Sequence, residues 1–309
     1  MIYTCTLTPS LDYTVYLPEF TAGKLNRSEE VYYYPGGKGI NVSRVLKRLG
    51  TDNVAMAVAG GFTGDYIGQF LRGEGIRTDF IPTADTTRIN VKIKSAEETE
   101  LNGPGPELAE EARQQLLGRV RRMKSGDWLV LAGRIPGSDG AAFAVELAGA
   151  CQSRGVRLVV DSSGPALKEL ANMRPYLMKP NGEELGELSG KEIETREDAL
   201  EQARGLVEKG VQNVIVSLGG DGALFVSQEV EASAEAPRGK VVNTVGAGDS
   251  LVSGFIAATG AGATPLEAFR RGVAAGSATA FRSDLCRKED VDALAGQVTV
   301  TRLEGGTER

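Results

Sequence analysis

Residues 244–250, TVGAGDS, place two glycines and a carboxylate directly before an apolar run with helical spacing. Gly246 and Gly248 allow a tight turn, and the helix that follows exposes unpaired N–H groups and the positive end of its dipole. This combination binds anions and stabilises charge on a phosphoryl group during its transfer. Asp249 could then act as a general base, or it could be a plain N-cap of the helix. On its own, the stretch favours the plain N-cap, so the case for catalysis must come from other segments of the chain.

Three further polar segments have spacings that suit a binding site. Residues 35–41, PGGKGIN, form a second glycine-rich turn that opens a helix, suited to a close backbone approach to sugar hydroxyls. Residues 217–222, SLGGDG, follow an apolar strand and are either a simple β-turn or a cradle for nucleotide phosphates. Residues 179–184, KPNGEE, also follow a strand. Each segment alone is a weak signal, but their occurrence together favours a site over scaffolding.

Residue types and motifs that the sequence lacks exclude several kinds of catalytic and binding site. The chain of 309 residues has no histidine, which excludes Ser-His-Asp and Cys-His nucleophile systems and zinc sites built on histidine. Neither the P-loop pattern nor GxGxxG occurs. The net charge of -6 argues against broad nucleic-acid binding. Three widely spaced cysteines fit a reduced compartment rather than a disulfide framework.

The elements that must position these segments alternate between strands and helices. Continuous apolar runs at 54–60, 127–133, 156–161, 176–180 and 213–220 are separated by helical patterns at 39–49, 64–75, 141–150 and 195–209. Such runs predict an α/β fold with a doubly wound, mostly parallel sheet covered by helices on both faces. The site of such a sheet lies beyond the carboxyl ends of its strands.

Short, partly alternating segments at 13–20, 29–35, 88–95 and 98–102 interrupt this order. We interpret them as a small β-sheet lid over the site, with two surface hairpins as the alternative. We expect one domain over 1–309, a lid from about 13–35 and 86–103, and a flexible tail at 304–309. The chain start lacks the basic region of a signal peptide and no apolar run reaches membrane-spanning length, so we expect a cytoplasmic protein without a membrane partner.

Together, TVGAGDS, GGKGIN, TPSLD at 8–12, KPNGEE and SLGGDG resemble the ribokinase-like carbohydrate kinases, or PfkB family, over essentially the whole length. TRINVKI at 87–93 and NGPGP at 102–106 are similar to the branch that phosphorylates fructose 1-phosphate. The resemblance implies a ribokinase-like fold, ATP and Mg²⁺ as cofactors, and a homodimer formed through the lid. Tagatose-6-phosphate kinase and 6-phosphofructokinase of the same family are alternatives. A sugar-phosphate sensor without turnover is a remote one, because a sensor needs neither Asp249 nor an NxxE motif.

The resemblance also implies roles for individual residues. Asp249 would be the general base, with Gly246, Ala247 and Gly248 as the anion hole. The implied substrate-binding residues are Asp12, Lys24, Gly37, Lys38, Asn41, Arg88, Asn90 and Arg134. The implied ATP-binding residues are Lys179, Ser217, Leu218, Gly219, Gly220, Asp221, Gly222, Thr244, Gly248 and Ser277. Asn181 and Glu184 match the NxxE motif, which would organise Mg²⁺ through water.

Two positions depart from the family pattern, and one cation is singled out. Thr8 stands where these enzymes usually have asparagine, and Arg134 stands where GSLP has serine. A phosphorylated acceptor brings roughly two negative charges, so an acidic protein needs local cations to hold it. Arg88 is the favoured phosphate ligand, because its planar guanidinium can donate to a phosphate at two places.

Overall fold

A computed structural model describes residues 1–303 of the chain. The strands are β1 (Ile2–Thr6), β2 (Ser10–Tyr16), β3 (Glu30–Gly36), β4 (Asn53–Ala59), β5 (Arg77–Pro82), β6 (Arg88–Lys94), β7 (Glu98–Asn102), β8 (Trp128–Ala132), β9 (Arg157–Asp161), β10 (Leu177–Met178), β11 (Asn213–Ser217), β12 (Ala223–Ser227), β13 (Glu231–Ala234) and β14 (Val300–Arg302). The helices are α1 (Lys38–Arg48), α2 (Gly61–Gly73), α3 (Glu110–Arg121), α4 (Gly140–Arg154), α5 (Pro165–Asn172), α6 (Gly182–Ser189), α7 (Arg196–Glu208), α8 (Ala247–Gly260), α9 (Pro265–Ala280) and α10 (Lys288–Ala295). The predicted tail at 304–309 lies outside the described residues.

The main sheet has the strand order β14-β13-β12-β11-β10-β9-β8-β1-β4-β5 within the described range. The strands from β11 to β5 pair in parallel, and β12, β13 and β14 extend one edge in antiparallel fashion. Parallel strands place their carboxyl ends on one edge, so the loops that follow β1, β9, β10 and β11 meet there. The prediction of a mostly parallel sheet is confirmed, and the antiparallel edge was not foreseen.

Helices cover both faces of this sheet, as the continuous apolar strands predicted. One buried cluster joins the sheet to α3, α4, α5, α6 and α7, and another joins it to α1, α8, α9 and α10. Strand β8 illustrates the arrangement, because Leu129 and Leu131 enter the first cluster and Val130 enters the second. Burial on two faces removes any period-two alternation from the sequence, which is why these strands read as unbroken apolar runs.

Close packing against α9 holds α8 in place. A Cβ built at Gly254 would lie 2.6 Å from the Arg271 backbone oxygen and 2.9 Å from the Ala275 side chain, so the two helices approach too closely for a larger residue there. On the sheet side, the Phe225 ring lies 5.8 Å from the Phe255 ring and 5.6 Å from that of Phe269. These contacts position the N-terminus of α8 at the edge of the sheet where the site lies.

A separate sheet, with the order β3-β2-β6-β7 in the described residues, is made by the four short segments that the sequence singled out. Its register gives it two different faces. One face is polar and carries Ser10, Asp12, Arg88, Asn90 and Lys92. The other is apolar and carries Tyr13, Val31, Tyr33, Ile89, Val91 and Leu101. The small sheet is therefore confirmed, whereas its action as a lid stays a prediction.

No helix among residues 1–303 combines the length and the apolar character that crossing a membrane would require.

Candidate active site

Two cavities lie side by side at the carboxyl edge of the main sheet. The polar cavity has a volume of about 490 Å³ and is lined mainly by charged and hydroxyl-bearing side chains. The apolar cavity, of about 590 Å³, lies between the 217–222 turn, the 236–244 segment and helices α8 and α9. Asn181, Ser217 and Gly248 line both cavities. The start of α8 therefore lies at the junction of the two spaces.

Asp249 lies in the first turn of α8, where the sequence predicted it, but it does not cap the helix. The N-cap is Gly246, whose φ of 80° is in the left-handed region that favours glycine. The carboxylate of Asp249 instead accepts a hydrogen bond from Asn41 Nδ2 on α1, with Oδ2 at 2.8 Å. Asp249 is only 5% exposed and its side chain lines the polar cavity. Of the two readings of this carboxylate, the plain N-cap is therefore wrong.

The surroundings of Asp249 raise the pKa of its carboxyl from 3.8 to about 7. Burial is the largest cause, because it disfavours the charged form, and the nearby negative charge of Asp161 adds to it. The hydrogen bond from Asn41 and the charges of Lys38 and Lys179 act in the opposite direction. A carboxyl that titrates near neutral pH suits a general base, because it can both accept and release a proton there.

Two lysines from distant segments meet at one buried carboxylate beside Asp249. Lys38, the first residue of α1, has its Nζ atom 2.8 Å from Asp161 Oδ1, and Lys179 has its Nζ atom 3.3 Å from the same oxygen. Burial alone would raise the pKa of Asp161, but Lys179 and Lys38 outweigh it and hold that pKa below its usual range. For Lys38, burial acts to lower the pKa, and the charges of Asp161, Glu184 and Asp249 raise it overall. The Lys38 ammonium group is therefore charged at neutral pH.

The polar face of the small sheet closes the other side of the polar cavity. Asp12 accepts hydrogen bonds from Ser10 Oγ at 2.7 Å and from Asn90 Nδ2 at 3.0 Å, so its carboxylate is fixed in orientation. Arg88 Nη1 donates to the Gly103 carbonyl and Nη2 to the Thr8 carbonyl, each at 3.4 Å. Within the part of the chain that is described, Arg88 Nε and Asn90 Oδ1 are buried without a hydrogen-bond partner.

Arg134 lines the same cavity as Arg88, and the two guanidiniums influence each other. Burial is the main cause that lowers the pKa of Arg88, and the positive charge of Arg134 contributes to it. Thr8 donates from Oγ1 to the Arg134 backbone carbonyl at 3.3 Å, so threonine supports this loop with its hydroxyl group. Two weakly compensated guanidiniums facing one polar space can bind an anion with two negative charges.

The apolar cavity has a lining suited to a flat, largely apolar group. Its side chains include Val241, Leu251, Val273, Ala280 and Phe281. Its polar margin is the backbone of the 217–222 turn, where Gly219, Gly220 and Gly222 lie. Among the predicted ATP-binding residues, Thr244, Gly248 and Ser277 also line it. Pockets of this kind fix a ligand through apolar contact and a few polar groups.

The NxxE motif folds as a capping box at the start of α6. Asn181 Oδ1 accepts from the Glu184 backbone N–H at 2.8 Å, and Glu184 Oε2 accepts from the Asn181 backbone N–H at 3.0 Å. Glu184 Oε1 lies 3.7 Å from Lys38 Nζ. In residues 1–303 no three acidic, cysteine or histidine side chains cluster as a metal cage. These donors fit Mg²⁺ that keeps its own waters and is held chiefly by phosphates.

The structure brings most of the predicted site residues to the two cavities, and four of them line neither cavity: Lys24, Leu218, Asp221 and Glu184. Lys24 lies in the exposed loop between β2 and β3 and lines neither cavity. Leu218 packs against the core, and Asp221 is exposed, with its backbone carbonyl accepting from Arg196. The side chains of these three residues therefore lie outside both cavities, and their predicted roles stay predictions. Glu184 lines neither cavity and reaches the site through Lys38.

Sequence reasoning missed Asp161 and most of the apolar cavity. Asp161 ends the apolar run VRLVVD, and a carboxylate at the carboxyl end of a parallel strand was an available signal. The 236–241 segment and Phe281 had no comparable signal, because 236–241 belongs to no helix or strand.

A buried carboxyl with its pKa raised to about 7, beside a helix start whose N–H groups can bind an anion, suits phosphoryl transfer to an alcohol, and with this fold it indicates a small-molecule kinase. The family model described as pfkB family carbohydrate kinase matches residues 6–290, and the chain belongs to this family. It is an ATP-dependent sugar-phosphate kinase.

Two curated relatives and one solved structure are similar to this chain over nearly its full length. The 1-phosphofructokinase of Bacillus subtilis (strain 168) is 48% identical over 303 residues, covering 98% of this chain and 100% of the relative. The D-tagatose-1-phosphate kinase of Bacillus licheniformis is 36% identical over 304 residues, with coverage of 98% and 100%. The crystal structure of phosphofructokinase-2 from Escherichia coli with substrates and products has a TM-score of 0.92 and 34% identity, covering 96% of this chain and 98% of that one.

Proposed function

We propose that this chain transfers the γ-phosphoryl group of ATP to the 6-hydroxyl of fructose 1-phosphate, forming fructose 1,6-bisphosphate. The observation that carries the proposal is that Asp249 lines the same polar cavity as Arg88 and Arg134. That arrangement offers a base for a hydroxyl and cations for a phosphate within one space. The 48% identity to a 1-phosphofructokinase, over nearly the full length of both chains, supports this acceptor over others.

In this proposal Asp249 begins the reaction. Its carboxylate takes the proton from the 6-hydroxyl as the oxygen attacks the γ-phosphorus, and the bond to the ADP oxygen breaks. Asn41 donates to Oδ2, which orients the carboxylate and leaves Oδ1 to face the acceptor. A general base of this kind contributes about 10²- to 10⁴-fold to the rate.

In this proposal, groups at the start of α8 stabilise the negative charge of the migrating phosphoryl group. The backbone N–H groups of Gly248 and Asp249 lie in the first turn, where helical N–H groups lack partners within the helix, whereas the Ala247 N–H donates to the Thr244 carbonyl at 3.2 Å. Lys179 is close by, since a Cβ built at Gly248 would lie 3.3 Å from its Nζ atom. These groups are preorganised, so they stabilise the transferring charge without rearrangement.

ATP would occupy the apolar cavity with its phosphates directed toward Gly248, which lines both spaces. Mg²⁺, when bound with ATP, would neutralise charge on the β- and γ-phosphates. Asn181 and Glu184 would orient its waters rather than ligate it directly, because Asn181 Oδ1 and Glu184 Oε2 already accept hydrogen bonds from backbone N–H groups and Glu184 Oε1 lies 3.7 Å from Lys38 Nζ. Lys38, beside Glu184, would add a positive charge on the same side.

The acceptor is tested by a panel of sugar phosphates. ADP release is measured with fructose 1-phosphate, fructose 6-phosphate, tagatose 6-phosphate and tagatose 1-phosphate under identical conditions. We expect the highest kcat/KM with fructose 1-phosphate. A clear preference for another member would move the chain to a different branch of the family. Release of ADP with none of them would favour a sugar-phosphate sensor.

We also propose that the small sheet is a lid whose outer face joins two copies of the chain. That face exposes apolar side chains, including Leu101 at 58%, Tyr33 at 48%, and Ile89 and Val31 at 37% each. Tyr13 and Tyr33 stack across the strands on it, with ring centroids 5.0 Å apart. Contiguous apolar surface on a sheet with open edges favours burial against a partner.

A further inference from the structure

Asp161 is a buried acid that the proposed mechanism leaves unused. It is the last residue of β9 and is 1% exposed. Its Oδ1 atom contacts Lys38 Nζ at 2.8 Å and Lys179 Nζ at 3.3 Å. Its Oδ2 atom is buried and has no hydrogen-bond partner in residues 1–303. All of its observed pairing therefore goes through one oxygen, toward the two lysines.

We propose that Asp161 is a positioning residue for phosphoryl transfer: its carboxylate holds the Lys38 and Lys179 ammonium groups in place beside the start of α8 and keeps them from pairing with Asp249. The inference rests on the proposed role of Asp249 as the base. It assigns a task to a residue that touches neither acceptor nor ATP in the proposed mechanism.

The geometry explains why one carboxylate suffices for two lysines. Lys179 has a side chain only 5% exposed, so its charge has little access to water. Two like charges held near one point repel each other, and an anion that contacts both offsets this repulsion. Asp161 Oδ1 lies within 3.3 Å of both ammonium groups, and it therefore permits a concentration of positive charge that a migrating phosphoryl group can use.

The same contacts keep the two lysines from pairing with Asp249, the proposed base. The charged groups that face Asp249 come from three elements: Lys38 of α1, Asp161 of β9, and Lys179 after β10. Without the Asp161 charge, Asp249 would be the remaining buried carboxylate lining the polar cavity next to both lysines. An ion pair formed there would hold Asp249 in its charged form and weaken it as a base. Asp161 thus competes for the lysines and leaves Asp249 free to take a proton.

Two other roles for Asp161 predict different behaviour. A purely structural ion pair would affect stability and leave the pH dependence of catalysis unchanged. A metal ligand is disfavoured by the donor set, because a divalent cation at Oδ1 would face two ammonium groups, and no acidic cluster for a metal occurs in the described residues.

The test compares Asp161→Asn with Asp161→Glu, using whichever sugar phosphate the wild type turns over fastest. We expect Asp161→Asn to lower kcat by about 100-fold, the effect of misplacing groups at a reacting centre. The acid limb of its kcat/KM profile should move to lower pH, because Asp249 loses a neighbouring negative charge and gains the lysines. Asp161→Glu keeps the charge one methylene further out, so its acid limb should stay in place with an intermediate kcat.

A second measurement tests the coupling to the lysines, and Asp161→Glu replaces Asp161→Asn in it if the asparagine variant does not fold. In a Lys38→Met background, Asp161→Asn should cost less activity than it does in the wild type, because one of its two partners is already gone. The matched control is Asp127→Asn. Asp127 is also a buried aspartate with a cation partner, the chain's N-terminal ammonium at 2.8 Å, but it lines neither cavity. Asp127→Asn should leave both kcat and the acid limb of the kcat/KM profile unchanged.

Several outcomes would overturn the inference. They are an Asp161→Asn variant within about twofold of wild-type kcat, an acid limb that stays in place while activity falls, independent effects in the Lys38→Met cycle, or an Asp161→Glu variant no better than Asp161→Asn. Asp249→Asn is assayed in parallel. If it keeps normal turnover, the proposed base is wrong; if it is inactive while Asp161→Asn is normal, only the positioning role fails.

Discussion

Replacing Asp249 with asparagine should make the protein more stable while it removes activity. The folded state raises the pKa of this carboxyl from 3.8 to about 7, first through burial and then through the charge of Asp161. Between these two values the folded state binds more protons than the unfolded state, so the free energy of unfolding falls as pH rises. A shift of about 3 pK at about 1.4 kcal/mol each gives a cost of about 4 kcal/mol when both states are ionised.

Asparagine has nearly the shape of the protonated acid and cannot ionise, so the variant avoids this cost. The cost is small near pH 4, and between pH 5 and pH 8 it grows by about 2–3 kcal/mol. Urea unfolding of both proteins at pH 5 and pH 8 measures the difference. The same variant should lose about 10²- to 10⁴-fold in kcat.

Asp127→Asn provides the control of opposite sign. Burial acts to raise the pKa of Asp127, but the N-terminal ammonium and the Lys124 backbone N–H outweigh it, so the pKa is lowered. Its charge therefore stabilises the fold above its unfolded pKa, and the stability is lost as pH falls through the folded pKa. This variant should be destabilised at pH 8. An Asp249→Asn protein that is no more stable than wild type at pH 8, or whose advantage does not depend on pH, would refute the reasoning.

Three further substitutions test other parts of the site. Arg88→Ala should raise KM for the sugar phosphate about 10- to 100-fold, the value of a lost charge-assisted hydrogen bond, with KM for ATP little changed; an effect on ATP alone would contradict it. Gly246→Ala forces a side chain into φ 80° and places its Cβ 2.5 Å from Leu285 Cδ2. Thermal unfolding should therefore show a free energy of unfolding lower by roughly 1–2 kcal/mol or more, and kcat should also fall. Normal stability would argue against the strained turn. Leu101→Glu should convert a dimer to a monomer in light scattering. Gln115→Glu adds the same charge at an exposed position of α3 and should not change the mass. Equal masses for the two variants would rule out the lid interface.

The sequence predicted the fold well where burial on two faces leaves a strong pattern. Strands such as β8 are unbroken apolar runs, and their placement followed from that alone. The edge strands β12 and β13 were missed because they follow β11 in antiparallel fashion, without a helix between neighbours to mark a new βα unit. β14 was missed because it is a strand of only 3 residues. β5 was missed because Arg77 and Asp79 interrupt its apolar pattern.

The site residues likewise divide into those that a local motif predicts and those that only the folded chain brings together. Asp249 and Asn41 belong to local motifs that can be read from neighbouring residues, and the structure joins them by a hydrogen bond across 208 positions. Asp161 could be read from its position at the end of an apolar strand as a candidate site residue, but its pairing with Lys38 and Lys179, which come from distant segments, could not be read from any local pattern. Lys24 was predicted at the site from the family resemblance; it lies in an exposed loop, and its role stays a prediction.

The pH dependence of kcat/KM of the wild-type enzyme tests the account most directly, because the proposed base must be ionised to take a proton. With the pKa of Asp249 at about 7, kcat/KM should be half-maximal near pH 7 and should fall tenfold for each pH unit below it. A profile that keeps its full value down to pH 6, where only the substrate's own phosphate begins to titrate, would contradict the assignment of Asp249 as a base tuned by burial.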